Sequence, residues 1–224
     1  MTDFERLERE LGGRSGAAFS VGGGPVTQAG TIVGGPAWST IKVPLAIAAL
    51  GHPGAGPLAE EAITVSDNDA ARTLWDLLGP PVAAAAAVES VLAAAGDAET
   101  CVQTEVVHPP YTSFGQTEWT LAAQQRFAAG LSAVPGAEAV LDVMRRIVPE
   151  QRWGFGAVAP DAAFKGGWGP DDRNLVRQFA IFELSGRTVA AAIANEPADG
   201  TYETGAANLT RIAEWVMRES PGAR

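Results

Sequence analysis

Lysine is scarce in this chain of 224 residues. Only Lys42 and Lys165 occur, and the other 14 of its 16 basic side chains are arginine. Cysteine is scarcer, with Cys101 alone, which excludes an internal disulfide framework and leaves a small buried apolar filler as the expected role. The two histidines, His52 and His108, have no partner spacing, so no metal site is expected. Long apolar runs are missing as well. Pro, Gly or charge interrupts each one before it reaches the length of a membrane-spanning helix. The opening segment Met1 to Leu11 is charged and amphipathic, without the basic and apolar regions of an export signal. The expected compartment is therefore the cytoplasm, with a secreted mature form whose leader has been removed as the open alternative. Positive charge is in deficit overall, and a net charge of −10 argues against nucleic acid and anionic membrane as partners.

What is present is enough apolar material, 46% of residues, to rule out disorder. The length suits a single domain of two lobes. Phe4, Leu7 and Leu11 recur at helical spacing, with Gly12 placed to end the helix. Two strands are expected at Ala17–Val21 and Val26–Val33, joined by a turn at Gly22-Gly23-Gly24-Pro25 that lacks the context of a nucleotide-binding loop. Ile41–Leu50 is apolar all round and so belongs inside a protein as a buried helix. Further helices are expected at Asp69–Leu78, Ala83–Ala95, Leu121–Leu131 and Ala137–Ile147, with Thr100–Thr117 between them as loop. Within that loop, Tyr111 to Thr117 is assigned to packing rather than to a cleft. Three strands follow at Ala162–Gly166, Leu175–Leu184 and Thr188–Asn195, the last two joined by a tight turn at Ser185-Gly186, and Thr204–Glu219 closes the chain as a helix.

Strands at both ends and helices between them predict an α+β protein. Its expected core is an antiparallel five-stranded sheet with the N- and C-terminal helices on one face. A mixed lobe would comprise residues 1–36 and 155–224, and a reduced all-helical lobe residues 37–154, with a cleft between the two. Trp38 and Trp168 are expected to wall that cleft, and Trp75 and Trp215 to sit in the core.

The lysines matter because arginine keeps its proton at physiological pH, whereas a buried lysine can become neutral and act as a base. In Ser39-Thr40-Ile41-Lys42 a spacing of three puts both side chains on one helix face. A serine hydroxyl becomes a nucleophile once something takes its proton. Lys42 can do so if burial and a second cation lower its pKa, and Lys165 is the available cation. The helix start leaves the Ser39 N–H free to serve as half an oxyanion hole. Ser66-Asp67-Asn68 reads locally as a helix N-cap and also offers exposed polar groups.

Ser39-x-x-Lys42, Ser66-Asp67-Asn68 and Lys165-Gly166-Gly167 occur in the order of the S-x-x-K, S-D-N and K-T-G elements of the serine β-lactamases and penicillin-binding proteins. The surroundings Val43 to Ala48 and Ile63 to Ala71 resemble class A enzymes in particular. That resemblance implies the superfamily's fold and an acyl-enzyme mechanism on a β-lactam, amide or ester, without metal or organic cofactor. It casts Ser39 as nucleophile, Lys42 as general base, and Ser66 with Lys165 as a proton relay to the leaving group. Asn68 would hold the substrate amide. Gly167 and Trp168 would line the strand edge, the Trp168 N–H being the second oxyanion donor.

Three departures qualify these expectations. Gly166 stands where the family commonly has Thr or Ser, which removes a carboxylate contact. Arg173 or Arg177 would have to compensate, with Arg177 favoured. Only 27 positions separate Ser39 from Ser66, so the helical part should be reduced and the cleft more open. No E-x-x-L-N segment supplies a glutamate for the deacylating water, and Glu105 and Glu118 read as solvated loop residues. An acyl-enzyme should then persist. The competing expectation is a degenerate member that binds an acyl or peptide ligand without efficient turnover.

Overall fold

The computed structural model describes residues 1–169 and 174–220. Five strands, β1 (Arg14–Val21), β2 (Thr27–Gly30), β5 (Ala163–Trp168), β6 (Val176–Leu184) and β7 (Arg187–Glu196), form one sheet in the order β2-β1-β7-β6-β5. Every pairing is antiparallel. The strands from the two ends of the chain meet where Ala18 faces Ala192, and Phe179 faces the same Ala192 from the other side. Both faces of the sheet are covered, so β1 and β7 are buried along nearly their whole length. The fold class is the one expected from sequence.

Helices α1 (Asp3–Leu11) and α9 (Tyr202–Glu219) lie on one face. Thr2 and Glu5 close a capping box at the start of α1. Phe4 and Phe19 both meet Trp215 edge-on, with centroids 4.6 and 5.7 Å away. Alternation along β1 turns Gly16 and Ser20 to the opposite face, where α6 (Leu121–Gly130) packs. There Gln125 donates to Ser20 Oγ at 2.8 Å, and a Cβ on Gly16 would strike Leu121. The Val26–Val33 strand is shorter than expected. Gly30 (φ 92) crowds the Ser15 carbonyl and the Phe4 ring and ends β2 there.

The remaining helices gather around α2 (Lys42–Ala49), which is apolar on every side and buried almost throughout. α4 (Asn68–Leu77), α5 (Pro81–Ala94) and α7 (Ala137–Met144) match the periodicity of their segments. α3 (Ala55–Thr64) has no counterpart in the sequence reading, because Gly54 and Pro57 mask its buried series Ala55, Ala59, Ala62 and Ile63. Two short strands, β3 (Gly34–Pro36) and β4 (Glu118–Thr120), pair with each other. A single turn of helix, α8 (Phe155–Val158), precedes β5. Cys101 is exposed, contrary to the expected filler role, because its neighbour Val102 takes the inward position. Among the described residues no single helix is long and apolar enough to cross a membrane.

Candidate active site

A 3-10 turn over Trp38–Ile41 leads directly into α2 and carries Ser39. Trp38 has φ 48, a left-handed conformation that a bulky residue adopts only when its surroundings hold it there. The Trp38 ring lies against Gly169, where a side chain would overlap it, and meets Tyr111 edge-on at 5.7 Å. Ser39 is thereby left half-buried at the floor of a cavity of about 580 Å³.

Ser66 is the second strained position, with φ 62. Asp67 caps α4 by accepting from the Ala70 N–H at 2.7 Å, so the turn ahead of the helix is fixed and its polar groups face inward. The Lys42 amine reaches this turn. It donates to the Ser66 carbonyl at 2.6 Å, the Asp67 carbonyl at 3.0 Å and Asn68 Oδ1 at 2.7 Å, and lies 3.5 Å from Ser66 Oγ. Lys165 comes from β5 and donates to Ser66 Oγ at 3.0 Å and to the Gly166 carbonyl at 2.9 Å. The Ser66 hydroxyl therefore sits between the two lysines, which are 2% and 0% exposed. Burial pulls the Lys42 pKa from 10.5 down to about 7, with the Asp67 charge opposing the drop in part. Lys165 lies well below the ordinary lysine range, from burial first and then from the Lys42 charge.

β5 is an edge strand of the sheet and runs close beside the Ser39 turn. A Cβ on Gly167 would stand 2.8 Å from the Ser39 nitrogen, so only glycine keeps that N–H uncovered. The Gly169 N–H donates to Leu175 on the β6 side. By the alternation of a strand, the Trp168 N–H points to the free edge, as does the Gly166 carbonyl that Lys165 touches. The missing hydroxyl at position 166 also has a local cause. A Cβ on Gly166 would lie 2.4 Å from the Trp153 ring. Trp153 in turn meets Trp168 and donates from Nε1 to the Tyr202 hydroxyl at 2.8 Å. An aromatic wall occupies the place where the family pattern has a polar contact.

Ser39, Lys42, Ser66, Asn68 and Trp168 all line the one cavity, with Lys165 and Gly167 immediately behind it. Arg177 does not join them, which corrects the expectation that it binds a substrate carboxylate. It is fully buried and donates to the carbonyls of Gly35, Pro36 and Trp119 and to Gln124 Oε1, at 2.6 to 3.0 Å. These bonds fasten β3 and β4 to the sheet. Burial lowers its pKa to about 9, against the pull of Glu118. Arg173, the other candidate for that role, lies outside the described residues.

The loop assigned to packing also lines the cavity, through Tyr111, Thr112, Phe114 and Gly115. Apart from a 3-10 turn at Phe114–Gln116, it is held by Gln116, which accepts from the N–H groups of Val107 and His108 and donates to the carbonyls of His108, Tyr111 and Thr112. Sequence reasoning missed Arg72, Gln151, Asn174 and Tyr202, which complete the lining. Arg72 was findable, since it follows Asn68 by one helical turn. Among the described residues no Asp or Glu lines the cavity, and Glu105 and Glu118 are both exposed.

No protein-family model and no curated sequence matches the chain. Solved structures do. A class A β-lactamase from Mycobacterium abscessus superposes with a TM-score of 0.76 at 19% identity, over 96% of this chain and 97% of that one. The chromosome-encoded β-lactamase of Vibrio parahaemolyticus gives 0.75 at 15% identity, over 96% and 97%. An ancestral class A β-lactamase gives 0.72 at 20%, again over 96% and 97%. The short Ser39–Ser66 interval is thus internal to matches that run nearly the length of both chains. Low identity and full-length superposition together establish one thing: this chain has the class A serine β-lactamase fold.

Proposed function

We propose that the protein is a serine hydrolase that forms an acyl-enzyme on Ser39, acting on a β-lactam, amide or ester. The observation that carries this reading is the Ser66 hydroxyl set between two buried lysines of lowered pKa, beside a serine whose N–H is left uncovered by glycine. In the proposed reaction neutral Lys42 takes the Ser39 proton as Oγ bonds to the substrate carbonyl carbon. The N–H groups of Ser39 and Trp168 hold the resulting oxyanion. The bond to the leaving group then breaks, and the proton reaches that group from the lysine pair through Ser66. Asn68 holds the substrate amide while its Oδ1 keeps Lys42 in place. Water, with Lys42 again as base, releases the acyl group.

The structural neighbours are named β-lactamases, so a β-lactam is the first acyl donor to try. Among the described residues no carboxylate lines the cavity to activate water. That favours a long-lived acyl-enzyme and supports a second reading, a binder of acyl or peptide ligands without efficient turnover. A fluorescent penicillin or a fluorophosphonate, followed by intact mass, separates the two. A Ser39 adduct that is absent in Ser39→Ala supports the hydrolase. No adduct with either reagent, and no hydrolysis of simple esters or thioesters, supports the binder.

A further inference from the structure

We infer that the cavity selects an acyl donor whose acyl part carries an anionic group, recognised by Arg72, while its leaving group is neutral. This rests on the acyl-enzyme reading above. Arg72 lines the cavity and is exposed on α4. It follows Asn68 by four residues, so the two side chains share a face with Cβ atoms about 5–6 Å apart.

The guanidinium has no hydrogen bond or ion pair among the described residues, although Asp69 and Asp76 stand three and four positions away on the same helix. Arg218 is the other described arginine in that condition, and it does not line the cavity. The remaining described arginines are committed, for example Arg126 to Glu99, Arg146 to Glu60 and Arg211 to Glu10. Among the described residues no carboxylate lines the cavity to neutralise Arg72 there. In a chain of net charge −10, an uncommitted cation facing a cavity is a local exception.

Among the described residues the opposite wall lacks a comparable group. Trp153 fills the space beside Gly166, Arg177 is sealed away, and the Lys165 amine is fully buried and bonded to Ser66 Oγ and the Gly166 carbonyl. Among the described residues, what faces the cavity on that side is Trp168, Gly169, the neutral Asn174 and Tyr202. Polarity in the site therefore runs from aromatic at β5 to cationic at α4. Going along α4 from Ser66, which would protonate the leaving group, the chain passes Asn68 and then Arg72. An acyl chain laid past Asn68 thus brings a terminal carboxylate to Arg72, well away from the leaving group.

The test uses two thioesters of one neutral thiol, glutaryl and pentanoyl, which differ by a terminal carboxylate against a methyl group. In each, the C–S bond breaks as the Ser39 ester forms, and water then yields the free acid. The readout is the ratio of their kcat/KM values from thiol release. A ratio of at least tenfold for glutaryl, collapsing towards one in Arg72→Gln and kept in part by Arg72→Lys, supports the inference. Equal rates in the unmodified protein, or a ratio unmoved by Arg72→Gln, overturns it and leaves the acyl-enzyme reading intact. If neither thioester acylates Ser39, that reading fails, and equilibrium binding of glutaramate against pentanamide decides the role of Arg72. A preference for glutaramate that Arg72→Gln removes upholds it, and equal binding overturns it.

Discussion

Titrating Lys42 tests the proposed chemistry most directly. An ordinary lysine with a pKa of 10.5 is neutral in roughly 3 molecules in 10,000 at pH 7. At the value of about 7 that burial imposes, half of the molecules carry a neutral amine. The gain in competent base is about a thousandfold, or ~4 kcal/mol of barrier. The perturbation is pH itself, swept from 5.5 to 9, and the assay is the initial rate of Ser39 labelling by a fluorophosphonate, followed by intact mass. The rate should fall tenfold per pH unit well below a midpoint near 7 and level off above it. Asp67→Asn keeps the α4 cap, since Asn serves as well as Asp at that position. It removes the charge that holds the Lys42 pKa up, so the midpoint should move to lower pH. Lys42→Arg retains a cation that does not deprotonate, and labelling should drop by more than that thousandfold. A rate level across the whole range, or one still climbing beyond pH 9 as for an unperturbed lysine, would refute the reasoning.

Three other outcomes are expected. Arg177→Met should cost about 3–5 kcal/mol in urea unfolding, because four acceptors lose a buried donor, while Ser39 labelling per folded molecule should survive. Gly166→Thr, which installs the middle residue of the K-T-G pattern, should cost about 1–3 kcal/mol through collision with Trp153, and the cost should shrink in a Trp153→Leu background. Stability should rise with pH between about 7 and 10.5, because there the unfolded chain holds a proton that folded Lys42 has lost. Lys42→Met should therefore weaken that dependence, read by urea unfolding across pH, and leave the part that Lys165 contributes.

The sheet and most helices were legible because their apolar periodicity is strong and both ends of the chain supply strands. Three things were not. α3 is broken up by Pro57 and opens after a left-handed glycine, so its buried alanines form no visible stripe. β3 consists of Gly34, Gly35 and Pro36, residues with no strand preference, and it exists because Arg177 and the pairing with β4 hold it. That gap explains the misplacement of Arg177. Its pairing opposite Gly167 put it near the motif strand, but the cover over its guanidinium comes from β3 and β4. Burial depends on what lies above a strand, and the strand's own residues do not report it. The site motifs were readable because each is local, and so was the place of Trp168 beside them, but Trp153 and Tyr202 were not, since they join Trp168 from distant segments of the chain.

The energetics of the site bear on the choice between hydrolase and binder. Two non-glycine residues with positive φ, Trp38 and Ser66, flank the buried lysine pair, and each such feature opposes folding. A site that only held a ligand would gain nothing from a buried amine near neutrality, since an exposed cation such as Arg72 attracts an anion at no such cost. Taking protons from Ser39 at neutral pH requires that amine. The destabilisation that Lys42 imposes should therefore be inseparable from acylation. Substitutions at Lys42 that raise stability at pH 6 should lose labelling in step, and a variant with both full labelling and the added stability would contradict the hydrolase reading.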